Sequence, residues 1–157
     1  MFARPIHLGL LIAVSGLLLT AAPAAAGPSP REASLLAAVN GVRKAHHLRP
    51  LAVDARLARA ARGYSATLLR QDVLTHGDFS GRMRRSGARG PRFGENLAWG
   101  TGGYAAATSI VRAWMRSPGH RANLLRPGFR RIGIGALVGS FAGYGGAIVV
   151  TADFAGN

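Results

Sequence analysis

Three polar residues carry the chemistry that this chain offers. Glu95 lies in Phe93-Gly94-Glu95-Asn96-Leu97-Ala98-Trp99-Gly100, His76 in Leu74-Thr75-His76-Gly77-Asp78-Phe79, and His120 three residues after Ser117 in Ser117-Pro118-Gly119-His120. A carboxylate between apolar neighbours is costly unless it meets donors or a cation, so Glu95 is expected to be held by amides, a basic side chain or an ion. Neutral imidazole is a divalent-cation ligand, which makes His76 and His120 candidate metal residues. Ser117-Pro118 marks a helix start, and the partial positive charge there biases His120 toward the neutral form. A Glu95 carboxylate within about 4–6 Å would pull the other way. Ser117 is a conceivable nucleophile with His120 as base and Glu95 as orienting acid, but its position is first of all that of an N-cap. His46 and His47 point roughly 100° apart on a helix and read as charges at its C-terminus.

The rest of the inventory narrows the choices. Cysteine is absent, which excludes disulfides, thiolate zinc sites, iron–sulfur clusters, a cysteine nucleophile and a lipoprotein-type anchor. The acids are Glu32, Asp54, Asp72, Asp78, Glu95 and Asp153, against 20 basic residues of which only Lys44 is lysine, for a formal charge of +14. Such a chain attracts polyanions, with the attraction screened by salt over about 8–10 Å. Acidic envelope polymers are therefore expected partners, through the arginines of the second helix, Arg82–Arg92 and Arg130-Arg131. Nucleic acid is not expected, because no basic groove studded with aromatics is visible.

These residues need elements to position them. Ser29-Pro30-Arg31-Glu32 has the form of a capping box with proline at the first helical position, and it predicts a helix over Pro30–His46. Asp54 is the next N-cap, followed by Leu57, Ala61, Tyr64 and Leu68 on one face and Arg56, Arg59, Arg62 and Arg70 on the other. From Asp72 to Gly103 the periodicity fades into loop, with one short helix at Arg82–Ser86. Helices follow at Ala105–Met115 and Pro118–Leu125. The tail changes period: Ile132, Ile134, Ala136 and Val138 alternate with small residues and Ile148-Val149-Val150-Thr151 is β-rich, which predicts two antiparallel strands joined by a Gly139–Gly146 loop. Gly133 and Gly135 leave one strand face bare and imply a close neighbour. Helices before strands, without βαβ alternation, define an α+β class with a small antiparallel sheet flanked by helices.

Arg4 and His7 precede the uncharged run Leu8–Leu19, and Ala24-Ala25-Ala26 follows. That order is the order of a secretory signal, with cleavage expected after Ala26. A membrane anchor needs about 20 apolar residues, and Pro23 interrupts this run. Residues 1–26 are thus expected to be a signal peptide and 27–157 one domain that works outside the cytoplasm, secreted or in the cell envelope.

Together, Leu36, Asn40, Arg43, Pro50-Leu51, Leu57, Ala61, Tyr64, His76, Gly94-Glu95-Asn96-Leu97-Ala98, Trp114, Ser117 to Leu125, Phe129 and Ile132-Gly133-Ile134-Gly135 resemble the CAP superfamily, the cysteine-rich secretory, antigen 5 and pathogenesis-related proteins, in its bacterial branch. The resemblance covers residues 33–154 and implies an α-β-α sandwich. It also implies a central cleft of two histidines and two acids that holds a divalent ion, typically zinc. Residue by residue, His76 is the first histidine, Glu95 the first acid and His120 the second histidine. The second acid is missing, because Trp114-Met115-Arg116-Ser117 stands where many members place a glutamate.

The expected function is a secreted, monomeric binding module whose His76, Glu95 and His120 cleft takes a weakly held zinc or other divalent cation and a small amphiphile, lipid or peptide. The alternatives are a weak metal- or His/Glu-dependent hydrolase using Ser117, His120 and Glu95, and an envelope polyanion binder.

Overall fold

The computed structural model describes residues 27–156. The expected signal segment lies outside them. Ser29 begins α1 (Pro30–Ala45) with a complete capping box: the Glu32 amide donates to Ser29 Oγ at 3.3 Å and the Ser29 amide to Glu32 Oε2 at 2.8 Å. Asp54 caps α2 (Ala55–Gln71), accepting from the amides of Arg56 and Leu57. There follow α3 (Phe79–Ser86), a 3-10 turn over Gly102–Ala105, α4 (Ala107–Arg116) and α5 (Pro118–Leu124). The strands are β1 (Ala52–Val53), β2 (Phe93–Gly100), β3 (Phe129–Phe141) and β4 (Tyr144–Gly156).

The sheet order is β1-β3-β4-β2, with β3–β4 and β4–β2 antiparallel and the short β1 parallel to β3. Two expectations change here. The stretch read as loop between Asp72 and Gly103 contains β2, and the unexpected short β1 adds a fourth strand whose parallel pairing with β3 makes the sheet mixed. Glu95 and its neighbours Gly94, Asn96 and Leu97 are all buried, and a strand covered on both faces loses the polar alternation that would reveal it. The expected Gly139–Gly146 loop is instead strand on both sides of a two-residue turn, Ala142-Gly143, with φ of 52° and 82°. Both central residues sit at positive φ, as a tight hairpin turn with the native strand twist requires.

Helices cover both faces, giving the α-β-α sandwich of an α+β fold. Leu35 and Val39 of α1, Ile110, Val111 and Trp114 of α4, and Leu124 of α5 form one core with Phe129, Ile132, Ile134, Val150, Ala152 and Phe154. On the other face Tyr64 and Leu68 of α2 pack on Leu97, Phe141 and Val149, while Leu57 and Met83 pack on Ala155. The bare glycine face meets α2 as its pattern predicts: a Cβ on Gly133 would stand 2.0 Å from the Leu57 carbonyl carbon, and one on Gly135 2.4 Å from Ala61 O. Only glycine permits that approach.

Arg43, in the last turn of α1, is fully buried. Its guanidinium donates to the carbonyls of Arg49, Leu124, Arg126 and Phe129, tying α1 to the segment that joins α5 and β3. Among the described residues no helix is long and apolar enough to cross a membrane.

Candidate functional site

Directly opposite residues of paired strands share a face. Glu95 on β2 faces Asp153 on β4, which faces Gly133 on β3, so both acids lie on the side covered by α2 and α3. The Glu95 side chain is only 2 % exposed, and both its oxygens are engaged. Oε1 lies 2.6 Å from His76 Nδ1, and Oε2 accepts from Arg82 Nη2. Arg82 also donates to the His76 carbonyl at 2.7 Å and places its guanidinium 3.2 Å from the centroid of the Tyr64 ring. Tyr64 in turn donates to the Thr75 carbonyl at 2.5 Å. The irregular segment carrying His76 is therefore fixed to α2, α3 and β2 at once.

The carboxylate accepts only, so the Glu95 contact puts the proton on His76 Nδ1 and leaves Nε2 as the ligand nitrogen of the neutral ring. The His76 side chain is 55 % exposed. This pairing of a buried carboxylate with an accessible imidazole is the arrangement that sets tautomer and raises ligand basicity at metal-binding histidines.

His120 approaches from the opposite side. Asn96, the residue after Glu95, turns to the other face of β2 and donates from Nδ2 to the His120 carbonyl at 3.1 Å. Asn123 locks the junction, donating to the Glu95 carbonyl at 3.1 Å and to Asn96 Oδ1 at 2.9 Å. Because β2 is an edge strand, elements from both layers reach it there. Burial pushes the His120 pKa down from 6.5, and the charge of His76 pushes it further in the same direction. The sign left open by the sequence is thus settled by burial and the second imidazole.

The residues present fit a cation only partly. Among the described residues no group of three or more His, Cys, Asp or Glu is arranged to hold a metal. Glu95 spends both oxygens on His76 and Arg82, so its place is to orient His76, and the donors left are the two imidazoles. Ser117 occupies the N-cap position of α5, yet its hydroxyl caps no amide, and among the described residues it makes no hydrogen bond to His120. The expected side-chain cap is therefore absent, and so is the serine–imidazole contact a hydrolytic dyad requires.

Sequence reasoning gave Asn96, Asn123 and Asp153 no individual role and placed Arg82 on a polyanion-binding surface rather than against Glu95. Asp153 is fully buried, and among the described residues neither of its carboxyl oxygens meets a partner in hydrogen-bonding geometry. Burial first, then the adjacent Glu95 charge, pushes its pKa well above the usual carboxylate range, against the opposing pull of Arg82. The signal was present in the sequence: an acid inside the apolar run Ile148 to Phe154 is as anomalous as Glu95.

This α-β-α sandwich, with its four-stranded sheet between helices, is the architecture of a known class of protein module. Residues 36–154 match the CAP family, described as the cysteine-rich secretory protein family, and the chain belongs to it. It is 32% identical over 121 residues to the uncharacterized protein YkwD of Bacillus subtilis (strain 168), a match covering 74% of this chain and 45% of that protein. The chain thus spans less than half the length of that relative. Among solved structures, an extracellular protein containing an SCP domain from Bacillus anthracis superposes with a TM-score of 0.67 at 24% identity, over 84% of this chain and 45% of that one. An outer surface protein from Borrelia burgdorferi gives 0.67 at 23% identity, over 81% of this chain and 93% of that one.

Proposed function

We propose that this chain is an exported CAP-domain binding module in which His76 and His120 hold a divalent cation such as zinc, weakly, beside a site for a small amphiphile or peptide. The observation that carries this reading is the Arg82–Glu95–His76 chain, in which both oxygens of a buried carboxylate are spent on fixing one accessible imidazole. Leaving a carboxylate buried merely to fill space is costly, whereas orienting a ligand histidine uses it. When bound, the cation supplies an electrophilic contact for an oxygen of the ligand. The protein's own residues do the positioning: Glu95 holds the His76 tautomer, Arg82 holds Glu95, and Asn96 and Asn123 hold the His120 backbone against β2. Burial and its neighbour keep His120 neutral, the form that binds metal.

The test is calorimetry with zinc on the protein and on His76→Ala and His120→Ala. Binding lost in both variants is the expected result, and equal affinity in all three removes the paired-histidine site. Export is tested by expressing the full chain with its first 26 residues and sequencing the N-terminus of the product found outside the cytoplasm. A product beginning at Gly27 is expected.

A further inference from the structure

Between α2 and α3 runs a groove of about 400 Å³ whose walls carry Arg56 and Arg59 from one helix and Arg82 and Arg85 from the other. Each pair is spaced i, i+3, so each presents two guanidiniums on one helix face. No acid lines the groove. Arg82 is neutralised by Glu95 beneath it. The remaining three are not: Arg56 donates to the Gly87 carbonyl, a neutral group, and Arg59 has no hydrogen-bond or ion-pair partner among the described residues. Arg85 reaches Asp78 at 3.3 Å with both side chains more than 60 % exposed, a pair that solvent screens almost completely. The fold therefore gathers like charges around one concavity without compensating them from within, and such a concavity concentrates anions.

The geometry points to a binding site for phosphate groups carried on a flexible anionic polymer, seated in the α2–α3 groove on the outer side of the Arg82 that also holds Glu95. Guanidinium is the side chain that matches phosphate oxygens two at a time. Arg82, stacked on Tyr64 and pinned by Glu95, gives the groove floor a fixed plane. Its side chain is 12 % exposed, recessed below the other three. A polymer chain can enter a recess of this kind, whereas a bilayer surface meets only the protruding arginines.

The experiment uses the protein without residues 1–26 and compares three probes: a poly(glycerol phosphate) polymer, inorganic phosphate, and phosphatidylcholine vesicles containing phosphatidylglycerol. Two variants of equal net charge are measured beside it. Arg56→Gln, Arg59→Gln and Arg85→Gln together empty the groove rim. Arg31→Gln, Arg112→Gln and Arg116→Gln remove three exposed arginines elsewhere. Polymer affinity is expected to fall by about tenfold or more in the groove variant and by less than about threefold in the control, since bidentate contacts are lost in one and only diffuse attraction in the other. Circular dichroism checks that both variants remain folded. Equal losses in the two variants overturn the site in favour of general charge. Vesicle binding stronger than polymer binding, or inorganic phosphate bound as tightly as the polymer, overturns the chain-like occupant.

Discussion

Glu95 and Asp153 stand directly opposite one another on the paired strands β2 and β4, one carboxyl engaged at both oxygens and the other at neither. The asymmetry follows from Arg82 and His76, which reach Glu95 and not Asp153. Two carboxylates on neighbouring strands cannot both ionise cheaply, so Asp153, buried and without the cation that Glu95 has, keeps its proton. His76, Tyr64 from α2 and Arg82 from α3 are the ionisable groups that act on this pair, and β3 contributes only Gly133.

Asp153 therefore costs stability as pH rises. The unfolded chain releases this proton at about pH 4 while the native state retains it, so the native state binds more protons and stability falls through the interval above that pH. The slope is about 1.4 kcal/mol per pH unit until the folded pKa is reached. Asp153→Asn imitates the protonated acid and removes the slope. Urea unfolding at pH values rising from about 4 should show the variant gaining on the natural protein until the folded pKa is passed, and a pH-independent difference would disprove the assignment.

His120 titrates in the opposite sense. Its folded pKa is lowered by burial and then by His76, so the unfolded chain takes up the proton first and His120 withdraws stability as pH falls below about 6.5. NMR titration of the metal-free protein, with chelator present, is expected to place its midpoint below 6.5. In His76→Asn the midpoint moves upward, because the push from the second ring is gone while burial remains. A midpoint unchanged by that substitution removes the electrostatic link between the two rings.

Arg43 makes a sharper structural prediction. Four carbonyls receive one guanidinium with no carboxylate among them, and an ammonium has neither the reach nor the fork to serve all four. Arg43→Lys is expected to destabilise the fold by on the order of 2–4 kcal/mol, since buried carbonyls lose charged donors. The neighbouring, exposed Lys44 gives a control: Lys44→Ala should stay within about 0.5 kcal/mol. Equal midpoints in urea for both variants contradict the role given to Arg43.

Much of this molecule was legible in one dimension. Ser29 with Glu32, and Asp54, announce helix starts because capping is a contact between residues two or three apart. The Leu57, Ala61, Tyr64 and Leu68 stripe announces a buried face because helical periodicity is local. Gly133 and Gly135 announce a close neighbour, though not that it is the Leu57–Ala61 turn of α2. What the sequence alone determined is therefore the class of fold and the three residue types suited to the site. Only tertiary structure decided that β2 exists, because its pairing with β4 is long-range and burial on both faces erases its alternation. Only tertiary structure gave Glu95 to His76 and Arg82, left Asp153 alone beside it, and drew Arg43 inside, since a charge's partners and solvent exposure are set by chain segments far apart in sequence.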